Sequence, residues 1–138
     1  MCGQIFGIDF EALHSKCGES PLLYMLVTAE SMKISDFDNL ISADNLVLID
    51  FYATWCGACG AIDGALDRLV FSMGDVVTLV RIDTTSRTSY DLVRRYNVVA
   101  LPTLMLFQRG EVLWRECGVI TYERLAHVIR HYRSVGAY

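Results

Sequence analysis

The sequence has little proline, few cysteines and no excess of basic residues. Two prolines in 138 residues leave no room for a proline-rich linker, and the scattered glycines exclude a collagen-like fibre. Five cysteines are too few, and too odd in number, for a disulfide-dense secreted scaffold. A net charge of −4 without a basic block argues against electrostatic binding of nucleic acid. The most apolar stretches, Pro21–Ala29 and Leu46–Ala53, fall far short of the roughly 20 residues of a transmembrane helix.

What remains is the composition of one folded domain, with 53% hydrophobic and 20% charged residues. Residues 1–20 are the least patterned, and we expect them to form an extension to a domain spanning residues 21–138. A cleavable signal is the alternative, because residues 21–26 are apolar and small residues follow at 27–29. Acidic residues precede that stretch where a signal is basic, so we expect a cytoplasmic protein, with export to the periplasm as the alternative.

Strand and helix patterns alternate after residue 20. Apolar runs predict strands at Leu22–Thr28, Leu46–Tyr52, Val76–Ile82, Thr103–Phe107 and Glu111–Cys117. Helical spacing predicts helices at Ala29–Ala43, Cys56–Met73 and Ser86–Tyr96, and a last helix capped by Thr121. In the third helix we expect Tyr90, Val93 and Tyr96 to face inward. This order predicts an α/β fold, with a central mixed sheet flanked by helices.

The segment Cys56-Gly57-Ala58-Cys59 follows a predicted buried strand and opens a predicted helix. Free backbone N–H groups at a helix start favour an anion, and the thiolate is the attacking species in disulfide exchange. Cys59, one turn later, is placed to resolve a mixed disulfide formed by Cys56. Half of a zinc site is the alternative, but tetrahedral zinc needs four ligands and the sequence has no second pair of this kind. The pattern therefore favours dithiol chemistry.

Asp50-Phe51-Tyr52-Ala53-Thr54-Trp55-Cys56-Gly57-Ala58-Cys59 resembles the active-site segment of the thioredoxin family. Leu101-Pro102-Thr103-Leu104-Met105-Leu106-Phe107 resembles the cis-proline strand of that family, and Gly110-Glu111 and Gly118 fall at its matching later points. The similarity extends from about residue 22 to residue 132. It implies a thioredoxin fold, with the sheet covered by helices on both faces.

The resemblance assigns a role to Asp50, an acid in an otherwise apolar strand. Burial raises the pKa of a lone carboxyl, so Asp50 can exchange a proton with the thiol of Cys59. Pro102 is expected to be cis, which exposes the backbone of Leu101 beside Cys56 to a substrate peptide. The expected docking rim, which we call the substrate rim, comprises Trp55, Gly57, Ala58, Ala100, Leu101, Pro102, Cys117 and Gly118.

Four residues depart from the family pattern. Ala58 replaces a proline between the cysteines, and we expect a somewhat less reducing protein as a result. Gly64 replaces a helix-kinking proline, which should loosen the helix. Leu79 stands where a lysine usually lies near the buried acid, which leaves open how the charge of Asp50 is compensated and favours its protonated form. Cys117 is interpreted as a buried small side chain, with a third redox-active thiol as the alternative.

The resemblance implies a thiol–disulfide oxidoreductase that reduces protein disulfides through Cys56 and Cys59. A thioredoxin reductase would regenerate the protein, and no metal or organic cofactor is needed because the cysteine pair carries the electrons. We expect a monomer. The alternatives are a specialised member with an oxidising or isomerising role, and a thioredoxin-like binding subunit with incidental redox activity.

Overall fold

A computed structural model of the protein describes residues 33–135. The strands are β1 (Leu46–Tyr52), β2 (Val77–Asp83), β3 (Thr103–Gln108) and β4 (Glu111–Cys117). The helices are α1 (Ile34–Ile41), α2 (Gly57–Ala61), α3 (Asp63–Met73), α4 (Tyr90–Arg95) and α5 (Tyr122–Val135), with a 3-10 turn at Arg87–Ser89. The predicted strand Leu22–Thr28 and the predicted extension at residues 1–20 lie outside the described residues, and the domain boundary stays a prediction.

The described strands form one mixed sheet in the order β2-β1-β3-β4. β1 runs parallel to β2 and antiparallel to β3, and β4 pairs with β3 as an antiparallel hairpin. Every residue of β1 is buried, as its continuous apolar run predicts for a central strand. The arrangement places the segment that follows β1 and the segment that precedes β3 at the same end of the sheet.

Helices cover both faces of this sheet, as predicted. Side chains alternate along a strand, so Leu48 joins a core with α3 and α5, whereas Ile49 joins a core with α1 and α4. The first core includes Ile62, Leu66, Leu69, Met73, Leu125, Val128 and Ile129, and the second includes Phe37, Ile41, Phe51, Leu92 and Phe107. Asp50, two residues after Leu48, therefore points to the face that carries α3.

Two helix predictions need correction. The helix predicted over Cys56–Met73 is divided at Ile62, which separates the five-residue α2 from the eleven-residue α3. Tyr90 was expected to face inward but is 59% exposed, and Leu92 is the buried residue of α4. The prediction assumed one continuous α-helix, but a 3-10 turn precedes α4. Because a 3-10 turn has fewer residues per turn than an α-helix, different residues of α4 face the core.

The hairpin and the last helix follow the local sequence signals. Arg109 and Gly110, with φ of 52° and 81°, make the tight turn between β3 and β4. The Thr121 hydroxyl accepts a hydrogen bond from the Arg124 N–H at 3.2 Å, which caps the start of α5 as predicted. Among residues 33–135, no helix combines the length and apolar character needed to cross a bilayer.

Candidate active site

Cys56 and Cys59 lie at the start of α2, immediately beyond the sheet. Cys56 is the N-cap residue, and its Sγ accepts a hydrogen bond from the backbone N–H of Cys59 at 3.2 Å. Cys56 is partly exposed, whereas Cys59 is 1% exposed. The accessible sulfur thus has a backbone N–H donor beside it, whereas the second thiol is buried one turn further on.

The buried thiol of Cys59 keeps its proton at neutral pH. Its pKa is raised to about 11, mainly by burial and then by the hydrogen bond with the Cys56 side chain and the negative charges of Cys56 and Asp50, against a lowering by the Ala53 backbone. At pH 7 a thiol with that pKa is ionised in about one molecule in ten thousand. Cys59 therefore needs a base before it can attack a disulfide.

Asp50 is fully buried in β1, and its carboxyl is a weak acid. Its pKa is raised to about 6, because burial outweighs the lowering by the charge and hydrogen bond of Arg81, and the negative charge of Asp63 raises it as well. Oδ2 of Asp50 accepts from Arg81, whereas Oδ1 has no hydrogen-bond partner within residues 33–135. The free oxygen is where a proton can reside without breaking the hydrogen bond from Arg81 to Oδ2.

Arg81 is the cation that compensates the charge of Asp50, which the change to Leu79 had left open. Leu79 is buried and apolar, but Arg81 lies two residues further along β2 on the same face and reaches Asp50 at 2.7 Å. Sequence reasoning missed Arg81 and its second partner, Asp63. A signal was present, since Arg81 is the only basic residue of β2 and interrupts an apolar run.

The far end of β4 meets the segment that precedes β3. The Leu101–Pro102 peptide is cis, as predicted, and Pro102 is buried. The Gly118 N–H donates to the Pro102 carbonyl at 2.9 Å. Cys117, on β4, is exposed, and its Sγ lies 3.4 Å from the Thr103 hydroxyl. The interpretation of Cys117 as a buried side chain is therefore wrong, because β4 is the edge strand of the described sheet and this end of it faces solvent.

The other predicted substrate-rim residues are open to solvent to different degrees. Trp55 is 74% exposed, Gly57 and Ala100 are exposed, and Ala58 and Leu101 are intermediate. Two further apolar side chains, Val99 and Val119, are 82% and 64% exposed and directly precede Ala100 and follow Gly118. These two were not predicted, although each is an apolar residue beside a predicted rim position.

Residues 33–135 contain no group of three or more His, Cys, Asp or Glu side chains arranged to hold a metal ion. Cys56, Cys59 and Cys117 are free thiols in this structure. The arrangement thus offers two neighbouring thiols in different environments, with an acid of raised pKa behind the buried one. Such a set can exchange a dithiol for a disulfide.

Comparison with known proteins gives a consistent result. The family model for thioredoxin matches residues 28–131. The chain is 36% identical over 104 residues to a chloroplastic thioredoxin Y of Oryza sativa subsp. japonica, covering 75% of this chain and 61% of that relative. It is 33% identical over 88 residues to thioredoxin of Bacillus subtilis, covering 64% of this chain and 83% of that one. The matched region thus spans about three fifths of the length of the plant relative.

Solved structures agree with the sequence comparison. Mitochondrial thioredoxin 3 of Saccharomyces cerevisiae, in its oxidised form, superposes with a TM-score of 0.66 at 28% identity, covering 78% of this chain and 97% of that one. Thioredoxin of Malassezia sympodialis superposes with a TM-score of 0.65 at 25% identity, over 72% of this chain. The predicted α/β fold is confirmed, and the chain belongs to the thioredoxin family.

Proposed function

We propose that the protein is a thiol–disulfide oxidoreductase that reduces protein disulfides by dithiol–disulfide exchange. The observation that carries the proposal is that the two neighbouring thiols differ in exposure and in hydrogen bonding. Cys56 is accessible and accepts an N–H hydrogen bond, while Cys59 is buried behind it at the next turn. Membership of the thioredoxin family supports the same chemistry.

The reaction proceeds in two exchanges. The Cys56 thiolate attacks one sulfur of the substrate disulfide, forming a mixed disulfide and releasing the other substrate sulfur as a thiolate, which takes up a proton. Cys59 then loses its proton and attacks the Cys56 sulfur, so that the Cys56–Cys59 disulfide forms and the second substrate sulfur leaves. Two electrons pass from the protein to the substrate, and the two thiol protons end on the substrate thiols.

Asp50 is the base we assign to the second exchange. Burial raises its pKa to about 6, close to ordinary working pH, where a general base is most effective. The pKa of Cys59 is raised to about 11, mainly by burial and in part by the negative charge of Asp50. The charge of Asp50 therefore acts on the Cys59 thiol. Asp50 takes the Cys59 proton during the attack and passes it on after product leaves.

The substrate rim is proposed as the docking surface. Trp55 offers a large exposed ring next to Cys56, and aromatic rings supply much of the contact area in protein recognition. Ala100, Leu101 and Gly118 offer backbone groups to which an extended peptide can hydrogen-bond. The expected substrates are disulfide-containing proteins, and the expected electron donor is a thioredoxin reductase.

Reduction of insulin disulfides tests the proposal. The wild-type protein should accelerate insulin reduction by dithiothreitol, and Cys56→Ser should abolish the acceleration because the attacking sulfur is gone. Cys17→Ser makes the same chemical change at a cysteine outside the proposed pair, and should retain full activity. An equal rate for wild type and Cys56→Ser would refute the proposal, and would favour a binding subunit with incidental redox activity.

The direction of electron flow is the second question, and Ala58 is the residue that raises it. We propose a reducing role, with an oxidising or isomerising role as the alternative, because Ala58 lacks the constraint that proline imposes at a helix start. Equilibration with glutathione decides between them. A potential somewhat above the value of about −270 mV typical of thioredoxin supports a reducing role for a less reducing protein, and a potential near the value of about −120 mV of the strong oxidant DsbA contradicts the reducing role. A potential at or below about −270 mV contradicts the effect expected of Ala58.

The compartment, oligomeric state and cofactor requirement are proposals of the same kind. We propose a cytoplasmic monomer that works without metal or organic cofactor, with export as the alternative location. Cell fractionation, light scattering and activity in the presence of a chelator test the three statements separately.

A further inference from the structure

Arg81 is a buried cation held between two carboxylates. Its side chain is 6% exposed, and its Nε donates to Asp50 Oδ2 at 2.7 Å. The contact is fixed by the sheet, since Asp50 and Arg81 are register partners on the parallel strands β1 and β2. A buried ion pair loses hydration on both sides, so its geometry must be well determined to persist.

The other end of the guanidinium reaches the helix that follows the active-site cysteines. Nη2 of Arg81 lies 2.9 Å from Oδ1 of Asp63, the first residue of α3, whose side chain is 44% exposed. The guanidinium carbon also lies 4.5 Å from the centre of the Tyr52 ring. Arg81 thus joins the strand that carries Asp50 to the helical segment behind Cys59.

The charges do not balance when both carboxylates are ionised, because one cation faces two anions. When Asp50 is protonated, Arg81 and Asp63 form a neutral pair. Burial has the largest effect on the pKa of Asp50; when Asp50 is ionised, Arg81 stabilises it and Asp63 repels it, so these two charges shift the pKa in opposite directions. Asp63 therefore acts on Asp50 although it does not touch it.

We propose that Arg81 is a positioning residue that ties Asp50 to Asp63, so that the charge at the start of α3 regulates proton transfer between Asp50 and Cys59. This inference rests on the proposed function, because it concerns the second exchange of that reaction. Asp63 has no part in the dithiol chemistry itself. It acts on Asp50 through charge repulsion and through the contact that both carboxylates make with Arg81.

Few other titratable groups face Asp50. Its own strand contributes Tyr52, and the start of α2 contributes the thiols of Cys56 and Cys59. β3, which carries its register partner Leu104, has no titratable side chain. β2 also carries Asp83, and α3 also carries Asp67 and Arg68. The charges that act on the pKa of Asp50 are those of Arg81 and Asp63, so these are the two residues to substitute.

The test measures the protonation of Asp50 directly, in the dithiol form, as the infrared carboxyl band that Asp50→Asn removes. Asp63→Asn should lower the midpoint of this band by at least about 0.5 pH unit, because a like charge disappears and Arg81 is released to Asp50. The low-pH limb of the insulin-reduction profile should move in the same direction. Asp91→Asn, the same change at an exposed residue of α4, should move neither.

Substitution of Arg81 gives the opposite shift. Arg81→Met should raise the midpoint by about 1 to 3 pH units, the effect of removing an opposite charge, and slow reduction below the midpoint by about tenfold or more. Arg81→Lys restores the charge and should recover part of both effects. If Arg81→Met does not fold, Asp63→Asn and Arg81→Lys still decide the question.

The outcomes separate this inference from the proposed function. An unchanged Asp50 midpoint in Asp63→Asn, with an active wild-type protein, would overturn the role of Arg81 and Asp63 and leave the function standing. If the Asp50 midpoint shifts in the variants but the wild-type protein does not reduce insulin, the proposed function is overturned. The role of Arg81 and Asp63 in proton transfer is then overturned with it. Shifted midpoints together with a shifted activity profile support both.

Discussion

The burial of Asp50 should make the stability of the protein depend on pH, and Asp50→Asn should remove that dependence. The raised pKa of Asp50, about 6 against an ordinary value of 3.8, means that the folded protein binds a proton more tightly than the unfolded chain. Stability from this group is therefore fully present below about pH 3.8 and is lost as pH rises through 6. The difference between the two values corresponds to about 3 kcal/mol.

The assay is urea denaturation of the wild type and Asp50→Asn at pH 4 and pH 7.5, in the dithiol form. The free energy of unfolding of the variant, relative to wild type, should rise by about 2.4 kcal/mol between the two pH values, because at pH 4 the unfolded carboxyl is already partly ionised. The asparagine oxygen can still accept from Arg81, so the variant is expected to fold. Asp91→Asn, at an exposed site, should show no such change. A difference between wild type and Asp50→Asn that is the same at both pH values within about 0.5 kcal/mol would refute the reasoning.

Three further predictions follow from single residues. Cys59→Ser should trap a covalent complex with insulin that a non-reducing gel detects and dithiothreitol dissolves, and its absence would contradict the resolving role. Gly60→Ala should stabilise the protein by about 0.5–1 kcal/mol in urea, because its added Cβ meets nothing within 4 Å. Gly74→Ala should destabilise it, because there the Cβ would lie 2.5 Å from the carbonyl oxygen of Val70, and equal effects of the two changes would contradict this. Thr121→Ala should cost about 1 kcal/mol by removing the cap of α5, and an unchanged urea midpoint would show that the cap adds nothing.

The parts of the fold that local patterns decide were predictable. β1 begins and ends at the predicted residues, because the polar segments on either side of an unbroken apolar run mark both ends of the buried strand. The Thr121 cap depends only on its own residue type and the helix that follows. The resemblance gave the cysteine pair and the proline segment because these motifs are contiguous in the sequence.

The errors all concern contacts that the local pattern does not determine. Arg81 meets Asp50 because two strands pair in a particular register, which no pattern within either strand reveals. The inward prediction for Tyr90 was wrong because a short 3-10 turn shifted the phase of α4. Cys117 was expected to be buried, but its exposure depends on which strand lies at the edge of the sheet.

A single-turnover reaction tests the central claim most directly. Fully reduced protein is mixed with excess insulin without any other reductant, and both are analysed by mass spectrometry and peptide mapping. The account predicts two new insulin thiols for each protein molecule and a new disulfide that joins Cys56 to Cys59. A protein that stays in the dithiol form, or one whose new disulfide joins other cysteines, would contradict it.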